Sequence, residues 1–201
     1  MKLNKPFALN EIGRRENNED SIFPQKGTAS ENDRYFLVCD GMGGHENGEV
    51  ASRTVCESFA EYLRTTDAER FNAELFNRTL DYTYDRLDKK DQSPAEDKKM
   101  GTTLTFLCLN SRGAFMAHIG DSRIYHLRKT TEGVEILYKS QDHSLINDLI
   151  RAEVITPEEA KNHPKKNIIT RVMQPHMEKR SKADTYTSQN VSDSARKKVK
   201  V

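Results

Sequence analysis

A run of strand type, Phe36-Leu37-Val38-Cys39, stops abruptly at Asp40-Gly41-Met42-Gly43-Gly44-His45. A buried strand that ends in a carboxylate on a glycine turn presents one charged group at the rim of a sheet. The glycines let the backbone approach whatever that group holds, because a residue without Cβ reaches conformations closed to others. Such a turn suits a metal ion or a phosphate. The turn is not followed by Gly-Lys-Ser/Thr, so it is no P-loop. Read as a calcium loop from Asp40 it puts Met42, Gly44 and Ala51 at ligand positions, which fails.

The elements around this turn follow from periodicity. Phe7-Ala8-Leu9 and Ser21-Ile22-Phe23 read as two short strands flanking a polar connection. Residues 34–39 form a third. Beyond Gly48 the period becomes helical, with Val50, Ala51, Val55, Phe59, Tyr62 and Leu63 on one face. A second helix is expected from Ala68 to about Lys89, capped by Asp67. Short strands then follow over 102–109, 114–119, 123–128 and 134–138, joined by turns that imply antiparallel pairing. Helical pattern returns over 143–152, and Thr156-Pro157-Glu158-Glu159 is a capping-box start. Residues 183–188 read as a last strand, and 191–201 as a basic, solvated tail. Strands grouped around two long helices give an α+β layered domain over residues 1–190.

Composition narrows the partners. The 201 residues carry 32 basic and 31 acidic side chains for a formal net charge of +1, which argues against binding nucleic acid or an acidic membrane through bulk charge. No stretch has the apolar length of a membrane span. Cys39, Cys56 and Cys108 are an odd, widely spaced set without a Cys-x-x-Cys pair, the pattern of reduced, core-filling thiols in a cytoplasmic protein.

Three places share one design, an acid at the end or edge of a strand beside glycine or another acid: Glu19-Asp20, Asp40-Gly41 and Gly120-Asp121. Oxygen ligands without clustered His or Cys suit Mg²⁺ or Mn²⁺ rather than zinc. If Asp20 and Asp40 converge, they can bridge two such ions roughly 4 Å apart, a common arrangement for phosphoryl transfer. Arg15 would offer a bidentate fork for phosphate oxygens. Taken singly, each acid is better explained as a turn former or N-cap and Arg15 as a solvated cation, while His45 reads either as a general acid or as a helix-entry residue. His118 and His126 read as structural.

The order of the pieces is more specific than any one. Arg15-Glu16-Asn17-Asn18-Glu19-Asp20, Asp40-Gly41-Met42-Gly43-Gly44-His45, Gly101-Thr102-Thr103, Gly120-Asp121-Ser122-Arg123, Asp142-His143-Ser144 and Asn167-Ile168-Ile169-Thr170-Arg171 occur in succession. Over about residues 7–190 the chain resembles the metal-dependent protein phosphatases (PPM, type 2C) in their bacterial form. The resemblance implies a central antiparallel β-sandwich flanked by helix pairs, with a binuclear Mn²⁺ or Mg²⁺ site and a third, looser ion. It implies hydrolysis of phosphoserine and phosphothreonine on a protein, such as the substrate of a serine/threonine kinase, with metal-bound water as nucleophile.

By position, Asp20 and Asp40 match metal ligands, and Gly41 matches one contributed through its carbonyl. Glu19 matches an acid holding metal-bound water, Arg15 the phosphate-binding arginine, Asp121 a ligand of the third ion, and His45 a general acid. Residues 143–171 match a flap beside the site. The family pattern has two further acids near its last strands. Here Val191-Ser192-Asp193-Ser194 turns basic instead, Asp193 is not assigned, and the last strands are expected to be lacking. The alternative expectation is therefore a truncated, catalytically impaired relative that binds a phosphoprotein or another partner without turnover.

Overall fold

The computed structural model describes residues 2–43, 47–91 and 100–189. Its frame is a five-stranded antiparallel sheet built from β1 (Ser21–Phe23), β2 (Tyr35–Cys39), β5 (Leu104–Asn110), β6 (Gly113–Ile119) and β9 (Asp184–Gln189), in that spatial order. Two small pairs accompany it: β3 (Gly41–Met42) with β4 (Gly101–Thr102), and β7 (Tyr125–Lys129) with β8 (Val134–Lys139).

Alternation decides the faces. Leu37 and Cys39 of β2, Leu104, Phe106 and Cys108 of β5, and Ala117 and Ile119 of β6 all point into one core. That core is closed by α1 (Asn47–Leu63) and α2 (Ala73–Lys90), which bury Ala51, Val55, Phe59, Leu63, Phe76, Leu80, Tyr84 and Leu87. Apolar residues recurring every three or four positions give each helix the single stripe it needs to lie on a sheet. Phe106 sits at the centre. Its ring lies 5.3–6.3 Å from those of Tyr35, Phe59, Phe71, Phe76 and Phe115.

The opposite face carries Met116 of β6 and, across from it, Tyr186 of β9. Tyr186 stacks on Tyr138 of β8 at 3.9 Å, so the β7–β8 hairpin forms a second layer over this face. The α+β class agrees with expectation. Of a sandwich, the described residues supply one full sheet and this hairpin opposite it.

Two expected elements differ. Phe7 and Leu9 stand 90% and 70% exposed and form no strand, because no described strand runs alongside to take their backbone groups. The helix expected from Ala68 is broken. Asp67 caps only a 3₁₀ turn at Ala68–Arg70, and Phe71 and Asn72 are extended, which drives Phe71 into the ring cluster. The Asn72 side chain then accepts from Leu75 N and starts α2 afresh.

Residues 143–171 carry α3 (Leu145–Arg151) and α4 (Pro157–Lys161), the latter entered through the expected Thr156–Glu159 capping box. The segment's ends are tied together by Leu145 N to Ile168 O and Thr170 N to His143 O. Beyond it, Arg180 bonds Asp85 and Asp88 of α2 and lies over the Tyr84 ring. These contacts deliver β9 to the sheet edge. Among the described residues no helix is long and apolar enough to cross a membrane.

Removing the central ring should be costly. Phe106→Ala is expected to lower stability by about 3–5 kcal/mol, read as a drop in the urea midpoint.

Candidate metal and phosphate site

The site is built at the end of β2, where the main chain is packed unusually close. Gly41 N donates to Glu19 O at 3.2 Å. A Cβ at Gly41 would lie 2.5 Å from that carbonyl oxygen and 2.2 Å from Gly48 O. Both obstacles are backbone, so no side chain is accommodated without moving the 19–20 segment away from the start of α1. Ser52 of α1 completes the clamp by donating to Glu19 O at 2.5 Å.

Asp40 is gripped from its other side. Its N–H donates to Thr103 Oγ1 at 3.0 Å, its carbonyl accepts from Thr102 Oγ1 at 3.0 Å, and Thr103 N donates to the same carbonyl at 2.9 Å. The backbone has no freedom left, so the Asp40 carboxylate is aimed by the sheet. Thr103 also pairs its hydroxyl with Ser122 at 2.8 Å, which links the Asp40 turn to the Gly120–Asp121 turn.

The charges that meet there do not balance. The Asp40 carboxyl is pushed up to about 6, first by its recessed position and then by the like charges of Asp20 and Asp121. Arg15 pulls the other way, and a hydrogen bond with the Asp20 carboxyl favours the protonated form. Two of the expected acids, Asp20 and Asp121, and the expected arginine are thus close enough to act on the carboxyl of a third, Asp40. Yet Asp20, Asp40 and Asp121 are all open to solvent by accessibility. A recessed, water-reachable group of carboxylates is what a hydrated divalent ion uses, since Mg²⁺ and Mn²⁺ keep several waters. The donor set fits such an ion.

Glu19 contributes its backbone to the clamp, and its carboxylate lies against Gly48 in the first turn of α1. His45 lies outside the described residues. A cavity of about 750 Å³ lies elsewhere, between Tyr35, Leu37 and Phe59, and none of these candidate residues lines it. The acids occupy an open rim.

Sequence reading passed over a second group of polar residues. His118, His143 and Asp184 place ligand atoms within 4.8 Å of one another. Burial holds His143 below the ordinary imidazole range; the Asp184 bond opposes this, and the His118 and Arg171 charges add to it. The ring is therefore neutral at pH 7. Its Nδ1 accepts from Gly120 N at 3.1 Å, so the hydrogen is on Nε2, 3.1 Å from Asp184 Oδ2.

Distance alone would admit a transition metal here, but the geometry does not favour one. The two rings stack at 4.5 Å with 11° between their planes, so their in-plane lone pairs do not converge. Arg171 supplies the cation instead, 2.8 Å from Asp184 Oδ1. In the sequence His143 and Arg171 stand only within the quoted Asp142-His143-Ser144 and Asn167–Arg171 motifs, and nothing there joins them to His118 or Asp184.

Two outcomes follow for the metal-free protein. A group whose folded pKa is raised costs stability as pH climbs from its unfolded value, near 4, through about 6, and the cost persists above that. Asp40→Asn removes the cost. Because Asp40 is solvent-open, the full shift is discounted, and a gain on the order of 1 kcal/mol is expected at pH 7 in chelator, vanishing below about pH 4. Gly41→Ala is expected to lower the melting temperature and to abolish stabilisation by Mn²⁺, checked by thermal scans with and without the ion.

Comparison with known proteins identifies the family. The family profile for protein phosphatase 2C matches residues 10–178. The protein phosphatase PhpP of Streptococcus pneumoniae is 36% identical over 165 residues, covering 81% of this chain and 64% of PhpP. The chain thus spans a little under two thirds of the length of that relative. Among solved structures, the serine/threonine phosphatase PstP/Ppp of Mycobacterium tuberculosis superposes with a TM-score of 0.69 at 28% identity, covering 87% of this chain and 68% of that one. A PstP catalytic domain in complex with two manganese ions superposes with a TM-score of 0.65 at 26% identity, covering 92% and 71%. By its sequence profile, its relatives and its fold, the chain belongs to the protein phosphatase 2C family.

Proposed function

We propose that this chain acts as a metal-dependent protein serine/threonine phosphatase of the cytoplasm, working on a phosphorylated protein through a binuclear Mn²⁺ or Mg²⁺ centre. The observation that carries the reading is the unbalanced charge at Asp40, where Asp20 and Asp121 repel and Arg15 attracts. A divalent cation would balance that group. In this reading Asp20, Asp40 and the Gly41 carbonyl hold the paired ions, and Asp121 a third, looser one. When bound, such ions neutralise phosphoryl oxygens and bring a water to hydroxide near neutral pH.

The chain's own residues do the rest. Arg15 forks onto two phosphate oxygens and fixes the phosphoryl group against the rim. It also meets the charge that builds on those oxygens in the transition state. Glu19 orients solvent at the ions, and His45 delivers a proton to the departing serine or threonine oxygen. Thr102 and Thr103 hold Asp40 in place, so its carboxylate needs no rearrangement at the moment of reaction. A phosphoserine or phosphothreonine on a flexible segment suits an open rim better than a deep pocket does.

The test is Mn²⁺-dependent hydrolysis of an aryl phosphate and of a phosphothreonine peptide by this chain. Turnover that disappears in Asp40→Asn is the expected result. Arg15→Ala should lower kcat/KM by about 10²-fold, in line with loss of a charged phosphate contact. Binding of Mn²⁺ and phosphopeptide without turnover would favour the binding-module reading. Turnover unchanged in Asp40→Asn would overturn the assignment.

A further inference from the structure

The residue before Asp121 is held from two sides. On one side stands Thr103: Gly120 has φ +106°, and a Cβ there would lie 2.5 Å from Thr103 Cγ2. On the other stands His143, which uses both its backbone and its ring. His143 N donates to Gly120 O at 2.9 Å, and Gly120 N donates to His143 Nδ1 at 3.1 Å. One side chain therefore satisfies the N–H of a buried glycine in a strained turn. Without that acceptor the N–H would be buried and unpaired, and the turn would open to find water.

Nδ1 can accept only if the hydrogen sits on Nε2, and that needs an acceptor on the far side of the ring. Asp184 provides it at 3.1 Å, and is itself fixed by Arg171 at 2.8 Å. Arg171 Nη1 also lies 3.3 Å from Nε2, but an arginine only donates, so the shorter Asp184 contact and the Gly120 N–H at Nδ1 set the tautomer. Stacking on His118 sets the plane of the ring, and His118 is anchored by donating from Nε2 to Gln141 O at 2.8 Å. The chain of contacts runs from Arg171 to Asp184, His143, Gly120 and then Asp121. Its members come from the end of the 143–171 segment, from β9 and from the end of β6.

We propose that His143 is a positioning residue: its imidazole, held as the Nε2–H tautomer by Asp184 and Arg171, sets the Gly120 turn and thereby the Asp121 carboxylate. The inference rests on the reading of Asp121 as a ligand of the loosely held ion. Outer partners of this kind typically change metal affinity by about 10–100-fold when removed.

Two substitutions separate positioning from plain packing. Asparagine at 143 places an amide oxygen where Nδ1 was and can still take the Gly120 N–H, but cannot reach Asp184. Glutamine places its amide nitrogen near Nε2 and keeps Asp184, but loses Gly120. Both remove the stack on His118, so both should lower the melting temperature alike. Mn²⁺ binding to the 201-residue chain is measured by calorimetry and electron paramagnetic resonance, with amide hydrogen exchange at Gly120 as a metal-free readout.

Asp121→Asn is expected to weaken the loosest Mn²⁺ about tenfold or more and to leave tighter binding unchanged. His143→Gln should weaken the same ion about tenfold and speed Gly120 exchange, and His143→Asn should restore both to within about twofold. Asp184→Ala, at a solvent-open side chain, guards against misfolding and should speed Gly120 exchange in the same direction. Equal effects of His143→Gln and His143→Asn, with Asp121→Asn behaving as stated, would overturn the inference alone. No effect of Asp121→Asn on Mn²⁺ binding would overturn the reading of Asp121 and, with it, the inference.

Discussion

The contact of Gly41 N with Glu19 O joins two parts of the chain that carry the acids, and it forms only because position 41 has no Cβ. A methyl group there would meet two backbone oxygens, one from the segment before β1 and one from the start of α1. The same closeness that forbids a side chain brings Asp20 beside Asp40. Everything outside the contact serves to keep it tight. The core under β2 fixes the strand, Ser52 binds the Glu19 carbonyl, and the Thr102–Thr103 pair seals Asp40 from the opposite strand.

Tightness has an electrostatic cost. The recessed position of Asp40, with Asp20 and Asp121 brought towards it, raises its carboxyl to about 6, so the metal-free fold carries a cost that a hydrophobic rim would not. The core offsets it. The six-ring cluster around Phe106 and the apolar stripes of α1 and α2 supply burial on the helix side of the sheet. Repulsion at the rim is then a local matter.

What the sequence made legible divides along a physical line. Asp40-Gly41 and Gly120-Asp121 could be read because an apolar run followed by an acid and glycine is a local pattern. The capping box at Thr156 and the faces of α1 and α2 were legible for the same reason. Pairing partners are not local. Phe7-Ala8-Leu9 has strand propensity and no described neighbour to pair with, and the 3₁₀ break at 68–72 is decided by Phe71 entering a ring cluster assembled from distant elements. His143 and Arg171 were visible as parts of motifs, but their meeting with each other and with Asp184 was silent for that reason as well. Each looks ordinary in its own surroundings, and their meaning lies in a meeting that only the folded sheet arranges.

That difference bears on how the acids are held. Asp20 and Asp40 are fixed by main-chain contacts, which depend on glycine and on strand pairing and tolerate little change. Asp121 follows a glycine whose N–H is answered by a side chain, and that side chain is oriented by two others. A backbone clamp is rigid whatever the neighbouring charges do. A side-chain relay gives only as far as its last member is held, and its last member, Arg171, sits at the end of the 143–171 segment with a partly open guanidinium. The rim thus joins two acids of fixed position to one whose position depends on the packing of α3, α4 and β9.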